Sequence, residues 1–281
     1  MVKIIMRQIS LFFLILLALT FHFSRASALE TPWQSASNLQ GRLISAVEAV
    51  GTRADIPAAL EIRLAQGWHM YWRMAGAGGL PPVFDWSASE NVADVVISWP
   101  IPRRYTFMDM ESFGYEGTVL FPLTIKPKII GEALTLNLKA DIMVCNEICV
   151  PQTITLIASL PAGAETEGSS AAVIARAFEK LPAQKDGPAL AIKSVILGPD
   201  ALVAQVEANK GLQKIDLFVE AQGVSIWAPP EIIPDKDDPR KGLVRIAKPP
   251  GMDNLATALS GQSVTLTLTD GVRALEKTYP F

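Results

Sequence analysis

The sequence predicts an all-β protein, two antiparallel β-sandwich domains joined by a connector with a short helix. Three observations carry this reading. Leu134, Leu136, Leu138, Ala140, Ile142 and Val144 alternate with Thr135, Asn137, Lys139, Asp141 and Met143, the period-2 signature of a half-buried strand. Other short apolar runs, punctuated by glycine and proline turns, occur on both sides of the chain's middle. Between these two sets, residues 161–187 change character, and there the apolar residues recur at helical spacing instead.

Taken in order, residues 1–28 read as a secretory signal peptide. Lys3 and Arg7 precede an apolar run from Ile9 to Leu19, and Ala26-Ser27-Ala28 offers small residues for cleavage after Ala28. The run is short for a spanning helix, and no later stretch approaches the roughly 18 apolar residues a span needs. The expected product is therefore not membrane-spanning and lies in an oxidising compartment, the periplasm if the cell is Gram-negative. Residues 29–162 form the expected first sandwich, with strands read at Ala58–Leu64, Val92–Ser98, Thr118–Ile125, 134–145 and Thr153–Ser159. Residues 163–187 are the connector, in which Ile174, Ala177, Phe178 and Leu181 define a helix that Pro182 stops. Residues 188–281 form a second, smaller sandwich from runs at Ala189–Leu197, Ala201–Glu207, Lys214–Glu220, Val224–Trp227, Leu243–Ala247 and Ser263–Thr269.

Charge and motifs exclude several function classes. Removing Lys3, Arg7 and Arg25 with the signal segment leaves 22 basic against 28 acidic residues, a net charge of about −6. An acidic chain without basic clusters argues against nucleic acid or anionic membrane surfaces as partners. There is no Gly-x-Ser-x-Gly elbow, glycine-rich phosphate loop or His-Glu-x-x-His. The acidic run Asp235-Lys236-Asp237-Asp238 lacks calcium-loop spacing and reads as a solvated turn between prolines. No cofactor is expected and no metal ligand set is assigned.

Chemistry concentrates in Met143-Val144-Cys145-Asn146-Glu147-Ile148-Cys149-Val150-Pro151, which holds the chain's two cysteines. If the 134–145 strand turns through Asn146-Glu147-Ile148, the thiols face each other across a hairpin mouth. Directly opposed residues lie about 4.5–5.5 Å apart at Cα, within reach of a disulfide. Redox exchange, a local staple and metal binding all remain open on this spacing. A staple closing so short a loop adds about 2 kcal/mol on the chain-entropy model. Copper(I) is the metal that would suit thiolates together with Met70, Met74, Met108, Met110 and Met143, although methionine is also an ordinary core filler. Cys145 falls in the strand's polar phase, and Glu147 between the thiols disfavours thiolate formation. Trp68, Trp72, Trp86 and Trp99 read as core or sandwich-end packing, and His69 as a surface or capped side chain.

The order of motifs resembles a family. Gly67-Trp68-His69-Met70-Tyr71-Trp72-Arg73, Gly79-Leu80-Pro81-Pro82, Phe84-Asp85-Trp86, Ser112-Phe113-Gly114-Tyr115-Glu116-Gly117 and the cysteine run follow one another as in the N-terminal periplasmic domain of DsbD-type thiol:disulfide interchange proteins. The three-residue interval between the cysteines favours the ScsB-like branch. The resemblance implies an immunoglobulin-like domain that exchanges thiols and disulfides as a component of a protein-disulfide reductase system. Its implied partners are a membrane-embedded thiol reductase of DsbD/ScsB type, expected here as a separate chain, and periplasmic thioredoxin-like or disulfide-containing proteins. It also implies that Cys149 carries the intermolecular disulfide and Cys145 resolves it. The segment Met110–Tyr115, including Glu111, corresponds to a capping and partner-binding loop, with Phe113 the candidate cap and Tyr115 second. Tyr71 matches an aromatic position near the family's active site.

Overall fold

A computed structural model of the chain describes residues 30–107 and 110–281; the expected signal segment and Met108 lie outside the described residues. The N-terminal half runs through β1 (Gln34–Ser35), β2 (Leu39–Ser45), β3 (Ile56–Leu64), β4 (His69–Gly76), β5 (Val83–Asp85), β6 (Val92–Ile97), β7 (Arg103–Phe107), β8 (Met110–Glu116), β9 (Thr118–Pro127), β10 (Leu134–Cys145) and β11 (Cys149–Leu160). One sheet has the order β1-β2-β3-β9-β6. It packs on a second of order β11-β10-β4-β8-β7, with β5 also paired to β10.

The alternation along β10 dictates this packing. Leu134, Leu136, Leu138, Ala140, Ile142 and Val144 are each at most 2% exposed and face β3 and β9 residues such as Leu60, Ile62 and Phe121 in one core. Burial of each large aliphatic side chain contributes about 1.5–3 kcal/mol, so a one-residue slip in register would forfeit the whole set. Strands β2, β4, β7 and β8 were not among the runs read from sequence. Their patterns are interrupted by charges and glycines, and in β4 by a bulge between Tyr71 and Gly76.

Helix α1 (Ala171–Glu179) follows, and Ile174 packs on Ile44 and Ala59. An antiparallel bridge from Val47 to Glu167 ties the connector to the N-terminal half, and a parallel bridge from Ala183 to Leu275 ties it to the C-terminal half. The second sandwich contains β12 (Leu190–Leu197), β13 (Ala201–Ala208), β14 (Asp216–Ala221), β15 (Val224–Ile226), β16 (Glu231–Pro234), β17 (Lys241–Ala247), the short α2 (Leu255–Ala258), β18 (Ser263–Thr269) and β19 (Ala274–Pro280). Its sheets have the orders β12-β13-β17-β16 and β15-β14-β18-β19. The architecture is all-β and immunoglobulin-like.

The two halves share a core residue. Phe218 of β14 belongs to the N-terminal core, edge-on to Phe113 at 4.9 Å and to Trp72 at 5.6 Å between ring centroids. Arg104 covers both Phe rings, pairs through a fork with Asp216 at 2.8 and 3.0 Å, and donates to the Trp227 carbonyl. Arg73 forks onto Glu220 at 2.8 and 2.7 Å and also binds Glu276. These ion pairs are largely shielded, so removing one partner strands the other in a poorly solvated place. Phe218→Ala is expected to cost about 3–5 kcal/mol, the usual range for a buried phenylalanine. Urea unfolding followed by tryptophan fluorescence measures it, and a loss below about 1 kcal/mol would mean that Phe218 does not join the halves.

Candidate redox site

Strand β4 enters the site pinned on both sides. Val144 pairs with Met70 and Cys145 with His69 toward β10, while His69 pairs with Glu116 and Tyr71 with Gly114 toward β8. Side chains alternate across a strand, so Met70 and Trp72 enter the core while His69 and Tyr71 share the opposite face with Cys145. A Cβ on Gly114 would lie 1.9 Å from the Met70 carbonyl oxygen, so the close approach of β8 to β4 requires glycine there.

Cys145 and Cys149 are directly paired residues at the end of the β10–β11 ladder and are joined in a disulfide, with their Cα atoms 4.1 Å apart. The sulfurs are unequal. Cys145 is 2% exposed, whereas Cys149 is exposed to solvent with the turn residues Asn146, Glu147 and Ile148. Cys145 is thus buried although it lies in the polar phase of β10. At this end the outer face is roofed by Tyr71, Ala75 and Met143.

Tyr71 provides the closest polar contact. Its hydroxyl lies 3.1 Å from Cys145 Sγ and 3.6 Å from Cys149 Sγ. In the oxidised pair neither sulfur carries a proton, so the phenol donates. Burial raises the Tyr71 pKa, which keeps that donor protonated. The ring is held from above by Gly79, where φ is +115° and a Cβ would lie 2.2 Å from Tyr71 Cζ. Around the disulfide a cavity of about 320 Å³ is lined by Tyr71, Gly79, Leu80, Met110, Met143 and His69, among others. A larger cleft of about 480 Å³ lies between α1 and β9 and contains neither cysteine.

The residues expected as a cap separate by parity. Phe113 is 1% exposed and Tyr115 5%, and both point into the core on the far face of β8. Tyr115 donates its hydroxyl to the Pro100 carbonyl at 2.8 Å. Glu111 shares that face, accepting from Thr106 at 2.7 Å with Arg104 at 3.7 Å. The segment does reach the cysteines, but through Met110 and Ser112, which line the cavity. The alternation of Phe113 and Tyr115 around Gly114 was the available signal that both aromatics face inward. Trp72 lies in the core, with Trp68, Trp86 and Trp99 packed partly buried against it.

Of the methionines considered as soft donors, Met110 and Met143 line the cavity, whereas Met70 and Met74 belong to the core packing. Among the described residues, no three of His, Cys, Asp and Glu gather as a metal-binding group. His69 is half-buried rather than a plain surface residue. It stacks on Tyr105 at 5.0 Å, 12° from parallel, and meets Tyr71 edge-on at 5.7 Å. Burial lowers its pKa, and the Glu116 carboxylate opposes that shift.

Residues 39–161 match the family described as thiol:disulfide interchange protein DsbD, N-terminal, and residues 180–280 match a family described as a domain of unknown function. No curated protein sequence matches the chain. The crystal structure of the N-terminal periplasmic domain of ScsB from Proteus mirabilis is similar, with a TM-score of 0.69 and 20% identity, covering 91% of this chain and 99% of that one. At that identity the likeness concerns the fold, and its coverage extends over both sandwiches. The cysteine pair at the β10–β11 mouth and the motifs around it therefore lie within residues 39–161, the stretch that matches the DsbD N-terminal family.

Proposed function

We propose that the chain is a periplasmic thiol:disulfide interchange protein. Its Cys145/Cys149 couple relays reducing equivalents from a membrane reductase of DsbD/ScsB type to periplasmic thioredoxin-like or disulfide-containing proteins. The observation that carries this reading is the inequality of the sulfurs, one exposed and one buried beneath a protonated phenol. A donor thiolate reaches Cys149 Sγ and forms a mixed disulfide, and Cys145 leaves with the electron pair of the broken bond. A second donor thiol then displaces Cys149, so that two electrons have entered the pair. The reverse sequence passes them to an acceptor disulfide, with Cys149 attacking and Cys145 resolving.

A staple role is supported less well. The bond closes a turn whose strands are already paired from Leu134↔Leu160 to Val144↔Val150, so there is little chain freedom left for it to remove. Among the described residues no helix is long and apolar enough to cross a membrane, which is compatible with an exported carrier that meets its membrane partner by docking.

Equilibration of the mature protein with glutathione or dithiothreitol buffers separates these readings. A carrier is expected to titrate within the range of thioredoxin-like proteins, above about −300 mV; a pair that stays oxidised below that value is structural. In cells, Cys145→Ser is expected to accumulate mixed disulfides through Cys149, and their absence would count equally against the relay. Tyr71→Phe is expected to keep the disulfide but slow its reduction by dithiothreitol about tenfold or more, because the departing Cys145 thiolate loses a charge-assisted hydrogen bond. An unchanged rate would remove Tyr71 from the chemistry.

A further inference from the structure

The exchange sequence leaves one proton without a destination. Cys149 is exposed and can release its proton to water, but Cys145 is 2% exposed and borders a cavity walled mostly by apolar side chains. When Cys145 attacks the mixed disulfide, its S–H must lose a proton inside that wall, since the thiolate is the nucleophile. Among the described residues lining the cavity, the ionisable side chains besides the cysteines are His69 and Tyr71. Tyr71 is already protonated and serves as a donor.

His69 is placed to receive the proton. It is the register partner of Cys145 on the adjacent strand, and directly paired residues on one sheet face hold their Cβ atoms about 4.5–5.5 Å apart. Stacking on Tyr105 and the edge contact with Tyr71 fix the ring's orientation. We propose that His69 is the base that takes the proton from Cys145 as this buried thiol resolves the mixed disulfide, and the acid that returns it when Cys145 departs in the reverse direction. This deepens, and rests on, the interchange reading above.

The groups around the imidazole agree with that role. They are Glu116 from β8, Tyr105 from β7, Cys145 from β10 and Tyr71 on its own strand. Burial holds the ring neutral near pH 7, where it can accept a proton, and Glu116 on its other side steadies the imidazolium that results. The Cys145 proton moves to His69, Cys145 Sγ bonds to Cys149 Sγ, and the mixed disulfide breaks with its electron pair on the partner sulfur. The imidazolium then yields the proton to that thiolate or to water.

One reaction separates the two exchange steps. The reduced mature protein is mixed with one equivalent of 5,5′-dithiobis(2-nitrobenzoate) in a stopped-flow instrument between pH 5 and 9. Attack by Cys149 releases the first thionitrobenzoate, and resolution by Cys145 releases the second. In the wild type, the second phase is expected to slow as pH falls through the depressed imidazole pKa. His69→Gln is expected to leave the first phase within about twofold, slow the second roughly a hundredfold and abolish that pH limb. His69→Phe, which retains a ring against Tyr105, should behave as His69→Gln does, and free imidazole should partly restore the second phase in His69→Ala. A second phase in both the Gln and Phe variants that superimposes on the wild-type pH profile overturns the proposal. So does an equal slowing of both phases without rescue, which marks a structural role. If the wild-type protein releases no second equivalent, the interchange reading itself fails, independently of His69.

Discussion

The pairing of β4 between β10 and β8 is the constraint on which the site depends. Where β4 meets β10, the pairs Met70–Val144 and His69–Cys145 join the strands, and beyond Tyr71 the bulge carries β4 away. Within this short overlap the pleat assigns every side chain to a face. Met70 and Trp72 anchor the inner face in the core, and because they cannot turn outward without emptying it, His69 and Tyr71 must face Cys145. A slip of one residue would exchange these sets, burying an imidazole and a phenol in the sandwich and exposing Trp72. The hydrophobic core therefore fixes the redox geometry from the opposite face of the sheet.

An outer sheet face is ordinarily wet, and here Cys145 is covered on it by parts that are not adjacent in sequence. The 76–82 loop lies over Tyr71, and its start is held twice. Ala77 donates its N–H to the Glu111 carbonyl at 2.7 Å, and Ser225 of the second sandwich donates to the Gly76 carbonyl at 2.5 Å. Arg73, inside the bulge, is held by Glu220 and Glu276 from the same sandwich. The C-terminal half thus braces the segment of β4 that its own partner strands release. Its place in the molecule is mechanical as well as architectural, since the roof over Cys145 is attached to it.

Much of this was legible in the sequence, and what was not has definite causes. Strand β10 announced itself through six apolar residues in strict alternation, and the facing of Cys145 and Cys149 followed from the length of the turn. The helix in the connector was read from Ile174, Ala177, Phe178 and Leu181, and it ends at Glu179, which leaves Leu181 outside it, short of Pro182. The polar phase of β10 was legible as a face, but its cover was not, because alternation reports which side a residue occupies and not what lies over that side. Phe113 and Tyr115, expected as the cap, face the core, whereas Met110 and Ser112 of the same segment line the cavity. A motif match carries chain position, whereas the role of Phe113 depends on a parity set by pairing to β4. The entry of Phe218 into the first sandwich had no local signal, since it is one apolar residue in an ordinary strand.

The unequal environments of the two sulfurs also bear on which redox state the fold favours. Burial by itself opposes the Cys145 thiolate, because charge is poorly solvated near Leu80, Met110 and Met143. The Tyr71 hydroxyl acts in the other direction, since a hydrogen bond to an anion is roughly twice as strong as one to a neutral acceptor. It gives the disulfide a weak contact and the thiolate a strong one, so its net effect is to ease opening of the bond. Apolar walls and a single donor together make a site where the charged intermediate is tolerated while exchange proceeds and is not stabilised enough to persist. A structural disulfide gains nothing from such an arrangement, because it has no open state to accommodate. A carrier requires it, because both of its states must be reached from the other without a deep trap between them.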